Sequence, residues 1–159
     1  MNAVNLEWFE VSRAALVGVS RNVEALRKGL QSARSIADDK LWGVHILGAL
    51  GECAFCKVTN RYWSGSVNTF KGGDVGDNIQ VRTRSKHDYD LIVRDSDKDG
   101  DIFVLVTGGP TEFVVHGWML GREAKSPQWR ANYGGHGQAF FVPKAALNGL
   151  DPLICGGEG

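Results

Sequence analysis

Glu52, Asp74, Gln80 and Arg82 are the residues of this sequence whose types and spacing could do chemistry together. Asp74 and Asp77 flank a glycine in DVGDN. The next stretch, residues 78–85, alternates, so that Gln80, Arg82 and Arg84 share one face and Ile79, Val81 and Thr83 the other. Carboxylate and amide oxygens are hard ligands suited to Mg²⁺ or Mn²⁺. A cation beside them suits a phosphate, whose charge it neutralises. A solvated sheet face would carry the same polar row, and Asp77 serves equally well as a turn residue.

The elements that position these groups are helices first and strands after. Residues 6–33 form the first expected helix: Leu6, Phe9, Leu16, Val19, Val23, Leu26 and Leu30 recur at helical spacing, interrupted at Ser12. Asp38 and Asp39 supply a start for a second helix over residues 41–58. Its sequence from 41 to 56, LWGVHILGALGECAFC, has Glu52 as its one formal charge. A helix apolar nearly all round is buried, and a buried carboxylate needs a partner. That partner is a metal in the chemical reading, and an arginine of the first helix, Arg21 or Arg27, in the structural one. His45 shares the face of Glu52 and is expected to be a satisfied helix histidine.

Strands are expected near 67–73, at 78–85, 91–94, 102–107, 112–120 and 138–142, the last at a sheet edge. The acidic DSDKDGD is expected to be a hairpin turn joining 91–94 to 102–107. A short helix is expected within 122–130, and Pro143 opens a last helical turn. This order predicts an α/β or α+β fold, with N-terminal helices packed on a central mixed β-sheet.

Three further patterns compete for a role. Asp95, Asp97, Asp99 and Gly100 have calcium-loop spacing, but position twelve is Val106 where a bidentate Glu belongs, so calcium binding is not expected. Cys53 and Cys56 make a CxxC inside an apolar helix, with too few further cysteines for a closed zinc site. Arg61 and Trp63, and later Arg122, Lys125, Trp129 and Arg130, pair cations with aromatics, as stacking on bases requires.

Composition bounds the class. The chain has 159 residues, enough for one domain with its own core. Formal charge balances at zero, so attraction to a polyanion must come from a local patch. Three cysteines argue against a disulfide framework. With no secretory start and no continuous apolar run of about 18 residues, the expectation is a cytoplasmic protein that does not engage a membrane.

In order and context, Glu52 on a buried helix, Asp74 by a short strand and Gln80-Val81-Arg82 on the next strand resemble the PD-(D/E)XK nuclease superfamily, including small phage-encoded members. The resemblance covers residues 41–120. It implies a restriction-endonuclease-like core, with residues 6–33 as an added N-terminal helix and 121–159 as a C-terminal extension. It implies metal-dependent cleavage of DNA, with Glu52, Asp74 and Gln80 holding Mg²⁺ or Mn²⁺ and Arg82 at the phosphate. Arg84, Lys86, Arg61 and Trp63 would then contact nucleic acid, and a homo-oligomer is one form in which so small a member works. Gln80 stands where the superfamily usually has an acid, and Arg82 where it has Lys. Arginine stays protonated and cannot accept a proton. A catalytically inactive module binding DNA or a protein partner is therefore the alternative.

Overall fold

The computed structural model describes residues 2–29, 38–67, 73–76, 78–133 and 137–156. Its elements are β1 (Asn2–Asn5), α1 (Trp8–Arg27), α2 (Asp38–Val58), β2 (Ile79–Arg84), β3 (Leu91–Val93), β4 (Ile102–Gly108), β5 (Glu112–Leu120), α3 (Gly121–Ala124), β6 (Arg130–Asn132) and β7 (Gln138–Val142). Single 3₁₀ turns follow at Pro127–Trp129, Lys144–Ala146 and Asp151–Leu153. The fold is mixed α+β. One sheet has the order β1-β5-β4-β2, with β2 parallel to β4 and the other pairs antiparallel. A second, antiparallel sheet has the order β3-β7-β6.

β4 joins the two halves of the core. Its apolar run is continuous because both of its faces are buried. Val104 and Val106 face a cluster with Leu50, Ala54 and Phe55 of α2, while Phe103 and Leu105 face Leu91, Val93, Phe140 and Val142 of the second sheet. The alternation expected in β2 is present, with Ile79 and Val81 buried and Gln80 and Arg82 half-buried.

Two strand expectations are corrected. β3 and β4 are not a hairpin: β3 pairs with β7, and both edges of β4 are taken by β5 and β2. A parallel β2–β4 pair needs a crossover, and β3 with the acidic loop is that crossover. β7 is not an edge strand but the centre of its sheet. Residues 68–72 of the expected strand near 67–73 and the expected helix end at 30–33 lie outside those described, as does Asp77. β1 was not expected at all; it adds to β5 from Asn2↔Val115 to Asn5↔Glu112.

α1 starts where the Glu10 carboxylate accepts the Glu7 N–H at 2.7 Å and stops at Gly29, whose φ of +63° closes the last turn. Its buried face is not the expected apolar stripe. Ala14, Gly18 and Asn22 are buried, whereas Phe9, Leu16, Val23 and Leu26 are exposed. Gly18 decides this: a Cβ there would lie 2.5 Å from the Ile46 Cα, so the small-residue face is the one that can reach α2. Gly18→Ala is expected to lower stability by about 2–3 kcal/mol through forced separation of the helices. Urea denaturation checks it, and an unchanged midpoint would show that the helices are not in such close contact.

α2 ends at Val58 as expected and starts at Asp38, three residues before the expected 41. By length and composition Lys40–Val58 would also suit a membrane span, a test that core helices pass too. Here it packs α1 on one side and β2 on the other. Gly51 allows the latter approach, since a Cβ there would meet the Thr83 side chain at 1.8 Å.

Candidate functional site

The close approach of α2 and β2 leaves a cavity of about 720 Å³ beside the polar face of β2. Glu52, Asp74, Gln80 and Arg82 all line it, together with Arg21 of α1 and with Asp97 and Asp101 of the acidic loop. Residues far apart in sequence are gathered because β2 and β4 pair with Ile79 opposite Ile102, which sets Asp101 beside the start of β2.

Glu52 is buried and fully engaged. Arg21 donates to it through Nη1 at 2.6 Å and Nη2 at 2.9 Å, and Trp63 Nε1 donates at 3.1 Å. The structural partner expected from the first helix is thus present. Asp74 is held differently. Val75 N–H donates to Ile79 O at 3.1 Å, closing a short turn, and Val81 N–H donates to Asp74 Oδ2 at 2.7 Å. Burial, then the charge of Glu52, push the Asp74 carboxyl up to about 6, against the opposing pull of the Val81 N–H, Arg82 and Arg21.

Gln80 Nε2 donates to Asp101 Oδ2 at 3.0 Å. Arg82 Nη2 donates to Asp97 Oδ1 at 2.8 Å, and its guanidinium lies 5.2 Å from the centroid of the Phe103 ring. The Arg82 Nε is buried and has no acceptor among the described residues. Asp97 is fixed in turn by the Arg94 N–H on its other oxygen, at 2.8 Å.

The expected nucleic-acid contacts are dispersed. Arg84 lines the cavity, donates to Asp90 O at 2.9 Å and stacks over Tyr89 at 4.2 Å. Lys86 is exposed, 5.6 Å from the same ring. Arg61 instead ties the C-terminal segment down, donating to Leu153 O at 3.0 Å. Trp63 is buried against Glu52 and presents no face for stacking. Its aromatic neighbour Tyr62 is the exposed one. Trp63 was singled out by its place in an Arg-Tyr-Trp run, which does not distinguish a core indole from a surface one.

The acidic loop carries its own cations. Lys125 Nζ donates to Asp95 O at 3.3 Å, to Asp97 O and to Asp99 Oδ1 at 2.7 Å. Arg130 forms a two-pronged pair with Asp95 at 3.0 and 3.1 Å. An ammonium therefore sits among oxygens that a calcium loop would turn on its ion. Calcium titration of the protein by calorimetry is expected to show no micromolar affinity. Micromolar binding lost in Asp97→Ala would contradict this.

Burial holds the Cys53 thiol up at about 11 and Cys56 at about 12, so neither is a thiolate at neutral pH. His45 lines the cavity, and burial followed by the charge of Arg21 lowers its pKa, so it is neutral there.

Among the described residues no group of three His, Cys, Asp or Glu side chains is arranged to hold a metal ion. Of the expected ligands, Glu52 already accepts three hydrogen bonds, from Arg21 and Trp63, and has its charge offset by the Arg21 guanidinium. Asp74 has a single donor among the described residues and carries an incompletely compensated negative charge, which suits a cation. Asp97 and Asp101 line the cavity but were missed as site residues. Their sequence signal was a turn, and nothing local shows that the turn folds back onto β2. Comparison with family models, with curated proteins and with solved structures finds no match to this chain.

Proposed function

We propose that the protein is a metal-dependent DNA nuclease of the PD-(D/E)XK type with a restriction-endonuclease-like core, and that this cavity is where it cleaves the phosphodiester bond. One observation carries the reading: two complementary deficits face the same space. Asp74 carries a negative charge that Arg82 and Arg21 only partly compensate, and Arg82 Nε has no acceptor among the described residues. A divalent cation bearing a phosphate supplies both.

Asp74 and the Gln80 amide oxygen would hold Mg²⁺ or Mn²⁺. The chemistry such an ion supplies is acidification of a water and neutralisation of phosphate charge. Asp101 steadies Gln80 through its amide hydrogen. Asp97 and the Phe103 ring steady Arg82, which offers its remaining N–H groups to a phosphate oxygen. Arg82 supplies charge and hydrogen bonds but takes no proton. Glu52 serves in this account as the buried partner that holds Arg21 at the cavity wall.

The second reading, a catalytically inactive module that binds DNA, is favoured by the pairing of Glu52 with Arg21 and by Arg82 where the superfamily has Lys. Cleavage of supercoiled plasmid and of single-stranded DNA with Mn²⁺ separates the two. The nuclease account expects cleavage by the wild type, retention in Arg82→Lys and loss in Arg82→Ala. If no variant cleaves, and Arg82→Ala weakens DNA binding equally across sequences, the binding reading holds instead.

A further inference from the structure

α1 carries more apolar surface than the described residues cover. Its small-residue face, Ala14, Gly18 and Asn22, is spent on α2. On another flank Trp8 and Phe9 are each 73% exposed, Leu16 67%, Leu26 55% and Val23 46%. From Phe9 through Ser12, Leu16, Val19 and Val23 to Leu26 the steps alternate three and four, the spacing by which one helix seats against another in a coiled coil.

We propose that this stripe is the seam of a homodimer, in which α1 packs antiparallel against α1 of a second copy. The stripe is self-complementary under a two-fold axis. When Phe9 faces Leu26 of the partner, Leu16 faces Val19 of the partner, and the register repeats through the axis. In that register Arg13 is level with Asn22 of the partner, about 3 Å along the axis from Glu24 of the partner, and Arg13 and Glu24 share the edge of the stripe away from α2. That one edge of the seam then sets the Arg13 of each copy near the Glu24 of the other, which also pairs with Arg27 of its own helix at 2.9 Å. The area is also right for a copy of this chain. The exposed parts of the five large side chains amount to roughly 600 Å² when an aromatic carries about 150–250 Å². The adjoining Ser12, Arg13 and Arg27 bring it toward the roughly 800 Å² per partner of a standard interface. Arg21, which lines the cavity, lies on the opposite side of α1 from the stripe, so the seam leaves the cavity open. The proposal is independent of what the cavity does.

Sedimentation of the full chain over about 1–200 μM tests it. The expected result is a dimer mass at the upper concentrations, with Leu16→Glu raising the dissociation constant at least about tenfold. Leu16 is exposed in the single chain, so the helix content of Leu16→Glu should be unchanged, and circular dichroism checks this. Arg13→Glu and Glu24→Arg supply a second route that leaves the apolar stripe intact. Each alone should weaken the dimer, and the double variant should recover it. A monomer at every concentration overturns the proposal, as does a dimer indifferent to Leu16→Glu. A monomer that floats with phosphatidylserine-containing vesicles through α1 also overturns it, in favour of a lipid surface as the occupant of the stripe.

Discussion

Glu52→Ala is expected to destabilise the fold by about 3–5 kcal/mol, the cost of breaking a buried ion pair from one side. The substitution strands a guanidinium whose side chain is only 17% exposed and removes the acceptor of the buried Trp63 Nε1. Arg21 Nε keeps its bond to Ser66 O at 2.9 Å, so the arginine cannot simply swing into water without a second loss. Replacing both partners by apolar residues, Arg21→Met with Glu52→Leu, should recover much of the stability, because no uncompensated charge remains. Urea denaturation of the single and double variants measures this. A cost below about 1 kcal/mol for Glu52→Ala would place the pair with ordinary surface bridges and remove its structural role.

Asp74→Asn should have opposite effects on stability and on chemistry. The folded-state pKa of Asp74, at about 6, lies above its ordinary value of 3.8. The folded chain therefore binds the proton more tightly. The contribution of Asp74 to stability is most favourable below pH 3.8 and is lost as pH rises through about 6. At pH 7 to 8 the ionised carboxylate costs up to about 3 kcal/mol. Asn removes the charge and keeps an acceptor for the Val81 N–H, so it should raise stability at pH 7 to 8 and give no gain below pH 4. If the protein is the proposed nuclease, cleavage should fall by more than about a hundredfold, since even groups behind metal ligands are worth ten- to a hundredfold. Thermal melts across pH, with cleavage assays in parallel, read both effects. A variant less stable than the wild type at pH 8 would contradict the electrostatic account of the site.

What the sequence made legible was set by local physics. The extent of α2 followed from its apolar run to within three residues at its start, and β2 followed from strict alternation. Glu52, Gln80 and Arg82 could be singled out from their own elements and Asp74 through the family resemblance, and all four line one cavity. What was not legible depends on long-range pairing. The apolar runs of β3 and β4 fit any sheet, so they could not say that β3 joins β7 while β4 pairs with β2. The same blindness hid Asp97 and Asp101, which reach the cavity only through that crossover. The stripe on α1 was correctly seen as apolar and wrongly assigned to the core, because periodicity marks a face that packs without marking what it packs on. Glycine 18, with no side chain to signal anything, chose the face that meets α2.

The claim at the centre of this account is that Asp74 holds a divalent ion in the cavity between α2 and β2. Crystals grown with Mn²⁺ and a short DNA strand, measured at a wavelength where manganese scatters anomalously, test it most directly. The account predicts an anomalous peak at about 2.0–2.6 Å from an Asp74 carboxylate oxygen, with a phosphate within hydrogen-bonding reach of Arg82, and no such peak in Asp74→Asn. DNA bound in the cavity of the wild type with no manganese at Asp74 would contradict it and leave a module that binds nucleic acid without cleaving it.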